Sequence, residues 1–188
     1  MTVFLDRDGV LVEDVGLLTR ACDIRVLPGV AEALTMLRAA GHKLVVVSNQ
    51  TVVARGLLDE AQTRALHGEI ERALAEAGAP ALDGFYFCPH HPHAEVAAYR
   101  CDCECRKPAP GLIARACDER GLDAKSAVMV GDRPSDVLAG IRAGCKTVWV
   151  ETGRHVDAPI VGAHDDVQPD HRCADLLAAA RWIVEVTA

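Results

Sequence analysis

Short apolar runs alternate along the chain with longer stretches in which apolar side chains recur every three or four residues. Val3 to Leu5, Lys43 to Val47, Phe85 to Phe87, Ala127 to Val130 and Thr147 to Val150 are brief and mostly rich in β-branched or aromatic residues. That pattern predicts buried strands. Helices are expected over Val30 to Ala40 (Ala31, Leu34, Leu37 and Arg38 at helical spacing), Asp59 to Ala77, from Pro110 to near Gly121, about Ser135 to Ala143, and near Cys173 to Val186. Gly41, Gly78, Gly121 and Gly144 stand where a helix C-terminus favours glycine. Ser48 to Gly56 reads as a polar loop. Residues 88–108, rich in Cys, His and Pro, read as irregular. With no repeat or linker, residues 1–188 are expected to form a single domain.

Strands and helices in alternation imply an α/β fold: a Rossmann-like parallel sheet with helices on both faces. No segment reads as a large cap domain. In such sheets ligands bind beyond the carboxyl ends of the strands. Asp6, Ser48, Cys88 and Asp132 each follow a predicted strand, so four chemically useful positions map to one edge.

Composition narrows the picture. The chain has 188 residues, half of them hydrophobic and a quarter charged, enough for one soluble domain with a real core. Its net charge of −7 argues against a nucleic-acid surface, which needs a basic footprint. A small anion bound by a few local Arg and Lys residues remains compatible. The first apolar run is too short for a signal peptide, and no stretch approaches a membrane span. The expectation is a cytoplasmic monomer with neither nucleic-acid nor membrane partners. Its eight cysteines then read as thiols or metal ligands before disulfides.

The chemistry concentrates in Asp6-Arg7-Asp8-Gly9. An ionised Asp at a strand end can attack phosphorus and form an aspartyl phosphate. Asp8 stands where it can protonate the leaving alkoxide and then activate water. Phosphate oxygens repel a carboxylate, so a divalent cation is needed, and Mg²⁺ suits oxygen ligands. Asp132, in Gly131-Asp132-Arg133-Pro134-Ser135-Asp136, would supply the acidic ligand from a distant loop. Asp136 reads either as a helix cap or as support for that ligand. The Ser48 hydroxyl and the Lys107 charge could hold a phosphoryl group. Taken singly, each motif also reads as an ordinary turn or a surface lysine.

In this order the four motifs resemble those of the haloacid dehalogenase-like phosphatase superfamily. The resemblance implies that Asp6 is the nucleophile, Asp8 the acid/base, and Ser48 with Lys107 the phosphate binders. Asp6, the Asp8 carbonyl and Asp132 would ligate Mg²⁺.

The loop from Cys88 to Pro108 holds two short claws, Cys88-x-His90 and Cys103-x-Cys105. Three thiolates and one imidazole suit a closed, structural Zn²⁺ site that would anchor Arg106 and Lys107. Cys101 could replace Cys103, and His91 or His93 could replace His90. Reactive thiols or a disulfide are the alternatives. Cys22, Cys117, Cys145 and Cys173 read as core or incidental.

This loop is similar to that of the D-glycero-D-manno-heptose 1,7-bisphosphate 7-phosphatases. The twelve residues between His90 and Cys103 favour that group over the histidinol-phosphate phosphatases, whose loop is usually shorter. The resemblance implies a substrate side built from Asp14, Gly16, Asn49, Gln50, Thr51, Arg55, Arg106 and Arg133. The chain departs from the pattern at Leu17, at Val52-Val53, at Arg133-Pro134-Ser135 and in the extra Cys101. The implied activity is Mg²⁺-dependent removal of the C7 phosphate of a heptose 1,7-bisphosphate. Rival readings are a histidinol-phosphate phosphatase, a DNA 3′-phosphatase and a zinc-stabilised binding protein without catalysis.

Overall fold

The computed structural model describes residues 1–153 and 167–187. Six strands form one sheet: β1 (Thr2–Leu5), β2 (Lys43–Asn49), β3 (Gly84–Cys88), β4 (Val128–Gly131), β5 (Lys146–Val150) and β6 (His171–Cys173). Their order is β3-β2-β1-β4-β5-β6, and every neighbouring pair is parallel. The helices are α1 (Val30–Ala39), α2 (Thr51–Ala54), α3 (Glu60–Glu76), α4 (Gly111–Arg120), α5 (Pro134–Ala143) and α6 (Leu176–Thr187).

The two faces of the sheet explain the β-branched runs. Successive strand residues point to opposite faces. Val3, Leu5, Leu44, Val46, Val128 and Val130 pack against Leu34 and Leu37 of α1, Ile70 and Leu74 of α3, and Ile183 of α6. Phe4, Val45, Val47 and Met129 pack on the other face against Leu112, Ile113 and Ala116 of α4 and Ala139 of α5. With both faces covered, each strand must be apolar throughout, which is why the strands read as continuous runs rather than alternating ones.

Helix ends follow local chemistry. Asp59 caps α3 by accepting from the Gln62 backbone N–H at 2.7 Å, while the Gln62 side chain accepts from the Asp59 N–H at 2.9 Å. Gly41 follows α1 at φ +80°, the left-handed turn that glycine adopts without a Cβ clash.

Several expectations shift. The buried stripe of α1 is Val30, Ala33, Leu34 and Leu37, leaving Ala31 and Arg38 only half-buried. Arg38 instead donates to Asp83 at 2.7 Å. The supposed polar loop after Ser48 contains α2, whose Val52, Val53 and Ala54 are buried. Residues 171–173, expected as loop up to a helix start near Cys173, form strand β6 because they extend the ladder of β5, and the last helix begins at Leu176.

The chain runs outward from β1 to β2 and β3, then returns to β4 on the other side of β1. The switch point thus lies between β1 and β4, where open α/β sheets bind ligands. Asp6 and Asp132 follow those two strands. Residues 6–29 and 89–110, which border this edge, each contain one three-residue turn of 3₁₀ helix, Ala21–Asp23 and Ala97–Tyr99, and no larger cap. Among the described residues no helix is long and apolar enough to cross a membrane.

Candidate active site and metal centres

Asp6 leaves β1 with its backbone N–H bonded to the Val130 carbonyl at 3.0 Å, which ties the first motif to β4. Lys107 reaches the same point from the loop before α4. Its Nζ lies 2.9 Å from Asp6 Oδ1 and 2.7 Å from Asp136 Oδ1, and donates to the Val47 carbonyl at 2.8 Å. Burial by itself would lower the Lys107 pKa. The carboxylates of Asp136 and Asp6 outweigh it and hold the ammonium above the ordinary lysine value. A charged lysine therefore sits against the nucleophile candidate, out of water.

Asp132 is fully buried, and both of its carboxylate oxygens lack a hydrogen bond among the described residues. Arg133 Nε stands 3.7 Å from Oδ2. Burial, then the like charges of Asp136 and Asp6, push its pKa up to about 9. Buried polar atoms normally have partners. Asp6, Asp132 and Asp136 each offer a carboxylate oxygen within 4.8 Å of the others. An oxygen-only donor set with one orphaned carboxylate fits a hard divalent cation. Asp136 is the most committed of the three. Its Oδ1 faces Lys107 and its Oδ2 accepts from the Arg133 N–H at 3.0 Å, closing the start of α5. Asp136 thus closes the helix start, as one of its expected roles requires, and its other oxygen stays beside Asp6 and Asp132.

Ser48 and Gln50 are buried at the end of β2. Gln50 Nε2 donates to Ser48 Oγ at 3.0 Å and to Asp8 Oδ2 at 3.1 Å, linking the first two motifs. Asn49 is committed elsewhere. It donates to the Lys107 carbonyl at 2.9 Å and accepts from the Lys107 N–H at 3.0 Å, so it holds the lysine's backbone.

The Cys/His loop closes as a second cluster. Cys88, His90, Cys103 and Cys105 place their ligand atoms within 4.8 Å of one another. Sulfur–sulfur separations are 3.1, 3.3 and 3.5 Å, and His90 Nδ1 lies 3.4 Å from Cys105 Sγ and 3.7 Å from Cys88 Sγ. A tetrahedron with Zn–S bonds of about 2.3 Å has edges near 3.8 Å, so this set needs only a slight expansion to hold zinc. Cys101 is exposed outside the cluster, and His91 Nδ1 accepts from the His93 N–H at 3.1 Å. Neither replaces a member of the four. Among the remaining cysteines Cys145 is buried, Cys117 and Cys173 are half-buried, and Cys22 is exposed.

The cluster delivers Arg106 to the rim, where its Nη1 donates to the His90 carbonyl at 3.0 Å. Burial, then the charges of Arg106, His93 and Arg55, lower the His91 pKa, so several cationic groups gather there. Arg55 is exposed at the end of α2, and Thr51 begins that helix. Asp14 and Arg133 pair with each other at 2.6 Å, and Asp14 Oδ1 accepts from the Gly16 N–H at 2.8 Å.

Three residues enter the site that spacing did not single out. Arg7 is buried and grips Asp8. Thr152 Oγ1 donates to the Gly9 carbonyl at 2.5 Å. Gly153 packs so closely on Asp132 that a Cβ there would overlap its carboxylate. Gly9, at φ +81°, makes a similar approach, with a Cβ position 2.7 Å from Asp132 Oδ2. The available signals were a charged residue inside a buried segment and a Thr-Gly pair just beyond β5.

Comparisons with known proteins agree with this geometry. Residues 104–180 match a family model described as HAD-hydrolase-like. The chain is 40% identical over 164 residues to a D-glycero-beta-D-manno-heptose-1,7-bisphosphate 7-phosphatase of Yersinia pestis, covering 87% of each chain. It is 38% identical over 185 residues to a D-glycero-D-manno-heptose-1,7-bisphosphate 7-phosphatase of Thermosynechococcus vestitus, covering 96% of this chain and 94% of that one. The crystal structure of a D,D-heptose 1,7-bisphosphate phosphatase from B. bronchiseptica, complexed with magnesium and phosphate, superposes with a TM-score of 0.81 at 32% identity and 98% coverage of both chains. With a relative at 40% identity over most of both chains, and with the nucleophile and acid/base candidates seated at the switch point of the same fold, the chain belongs to the haloacid dehalogenase-like phosphatases, in the group of D-glycero-D-manno-heptose 1,7-bisphosphate 7-phosphatases.

Proposed function

We propose that this chain removes the C7 phosphate of D-glycero-D-manno-heptose 1,7-bisphosphate through a phosphoaspartate on Asp6. The observation that carries this reading is the buried meeting of Asp6, Lys107, Asp132 and Asp136 at one sheet edge, with Asp8 two residues from Asp6. One Asp6 carboxylate oxygen bonds to phosphorus as the bond from phosphorus to the C7 oxygen breaks. Asp8 gives its proton to that departing oxygen. Asp8 then takes a proton from water, whose oxygen attacks the same phosphorus and frees Asp6 and inorganic phosphate. Lys107 holds Asp6 in place and offsets charge on the phosphoryl oxygens, helped by Ser48. Asp6, the Asp8 carbonyl and Asp132 would hold Mg²⁺, which when bound neutralises phosphate charge as a Lewis acid.

Arg106, with Arg55 and Arg133 near the same rim, would receive the second phosphate, a group that arginine grips bidentately. Asp14, Gly16, Asn49, Gln50 and Thr51 would shape the sugar side, Asn49 through its hold on the Lys107 backbone. Cys88, His90, Cys103 and Cys105 would bind a structural Zn²⁺ that fixes the loop over 88–107. We place the activity in one domain, acting as a cytoplasmic monomer on a free sugar phosphate with neither nucleic acid nor membrane. The acidic net charge of −7 supports that choice of partner.

The test is phosphate release from both anomers of the bisphosphate and from histidinol phosphate, with Mg²⁺. Preferred turnover of a heptose bisphosphate is expected, with loss of release in Asp6→Asn. Preferred turnover of histidinol phosphate would overturn the substrate assignment. Unchanged release in Asp6→Asn would overturn the nucleophile.

A further inference from the structure

Arg7, between the two motif carboxylates, is among the largest fully buried side chains, at 1% exposure. Its Nε lies 3.1 and 3.2 Å from the two Asp8 oxygens, and its Nη2 lies 3.0 and 2.9 Å from the same two. Its backbone carbonyl accepts from the N–H groups of Leu11 and Val12 at 2.9 and 3.1 Å, which fixes the bend that brings neighbouring side chains together. Asp8 keeps a 24% exposed side chain facing the edge, whereas the cation beneath it is dry. The third guanidinium nitrogen, Nη1, has no hydrogen bond among the described residues.

Such an arrangement is poorly explained by stability. Burying a guanidinium is costly, and a single carboxylate that leaves both Nη1 N–H groups unpaired offsets that cost badly. A planar fork does, however, fix the plane of a carboxylate in a way that a point charge cannot. Gln50 holds Asp8 Oδ2 from the side at 3.1 Å, so the carboxylate is gripped by its own motif and by the next.

We propose that Arg7 is a positioning residue that sets the orientation of the Asp8 carboxylate for proton delivery to the leaving oxygen. This rests on the acid/base role given to Asp8 above. The consequence is selective. Proton delivery matters when the leaving group is a poor one, such as a sugar alkoxide, and hardly at all when it is nitrophenolate. The ratio kcat/KM reports events through breakage of the first phosphorus–oxygen bond, so it isolates this step from water attack on the phosphoenzyme.

The experiment measures kcat/KM of parent, Arg7→Lys, Asp8→Asn and the double variant with the heptose bisphosphate and with p-nitrophenyl phosphate. Both substrates are assayed on the same sample, so their ratio is independent of how much of a variant folds. In Arg7→Lys the sugar-to-aryl ratio should fall about 10- to 100-fold, the scale of an ångström-sized misplacement of a reacting group. In the Asp8→Asn background the same change should add nothing, because Arg7 acts through Asp8. A ratio unchanged in Arg7→Lys, or a fall repeated in the Asp8→Asn background, would overturn the proposal. Failure of the acid/base reading is distinguished by Asp8→Asn alone leaving the ratio at its parent value.

Discussion

Asp132→Asn should make the metal-free protein more stable while destroying its response to Mg²⁺. The carboxyl has an ordinary pKa near 4 when unfolded and about 9 in the folded protein, raised first by burial and then by Asp136 and Asp6. Between those values the folded state holds the extra proton, so stability falls as pH rises from about 4 toward 9. At pH 7.5 the gap of about 3.7 units corresponds to an upper limit of about 5 kcal/mol. An asparagine removes the charge but leaves a buried amide short of partners, which costs about 1–3 kcal/mol. The net gain is then about 2–4 kcal/mol. With a urea m-value of about 2 kcal/mol/M the unfolding midpoint rises by about 1–2 M. The assay is urea unfolding at pH 7.5 in buffer freed of Mg²⁺ over a chelating resin, repeated with Mg²⁺ at about 100 times its dissociation constant. The parent should gain about 2.7 kcal/mol from the ion and the variant nothing. A variant midpoint at or below the parent's without Mg²⁺, or an equal response to the ion, would refute the reasoning.

Gly153→Ala should push Asp132 out of place, since the new Cβ overlaps its carboxylate, and weaken Mg²⁺ activation by about 10- to 100-fold, read from activity against Mg²⁺ concentration. His67 is buried, stacks on Phe85 at 3.6 Å between centroids and is lowered to about 3, by burial first and then by the charge of Arg7. It is neutral when folded and protonates when unfolded, so its stabilising contribution is complete above pH 6.5 and is lost as pH falls toward 3. His67→Phe should abolish about 2 kcal/mol of the stability loss between pH 6.5 and 4.5, measured by urea unfolding at both values. Cys105→Ser should lower zinc content below the one ion per chain expected of the parent, measured by atomic emission. A loss of about 3 kcal/mol there would lower Tm by about 6–12 °C. Activity should fall with it, because Arg106 and Lys107 directly follow Cys105 in the chain.

The strands were legible because a sheet covered on both faces demands apolar side chains in continuous runs. Motif order was legible because Asp6, Ser48, Cys88 and Asp132 each sit at the end of such a run. Local rules failed where a neighbour distant in sequence decided the outcome. The stretch after Ser48 looks polar only at its ends. Val52 and Val53 are buried against Phe87 of β3, and that contact makes the segment a short helix rather than an open loop. His171 to Cys173 became a strand because the β5 edge was available to pair. Asn49, expected on the substrate side, also matches its amide to the backbone of Lys107, fifty-eight positions away, a pairing that no local rule reveals.

By itself the sequence determined strands β1 to β5, the five longer helices and the kinds of chemistry carried to one edge, since these follow from side-chain polarity at short spacing. Tertiary structure decided the partnerships. It paired Lys107 with Asp6 and Asp136, turned Asp14 onto Arg133, chose Cys103 over Cys101 and His90 over His91, and placed Arg7 beneath Asp8. The physical reason is that a buried charge is tolerable only beside a specific opposite charge or ligand, and which one it meets depends on how separate strands and loops converge.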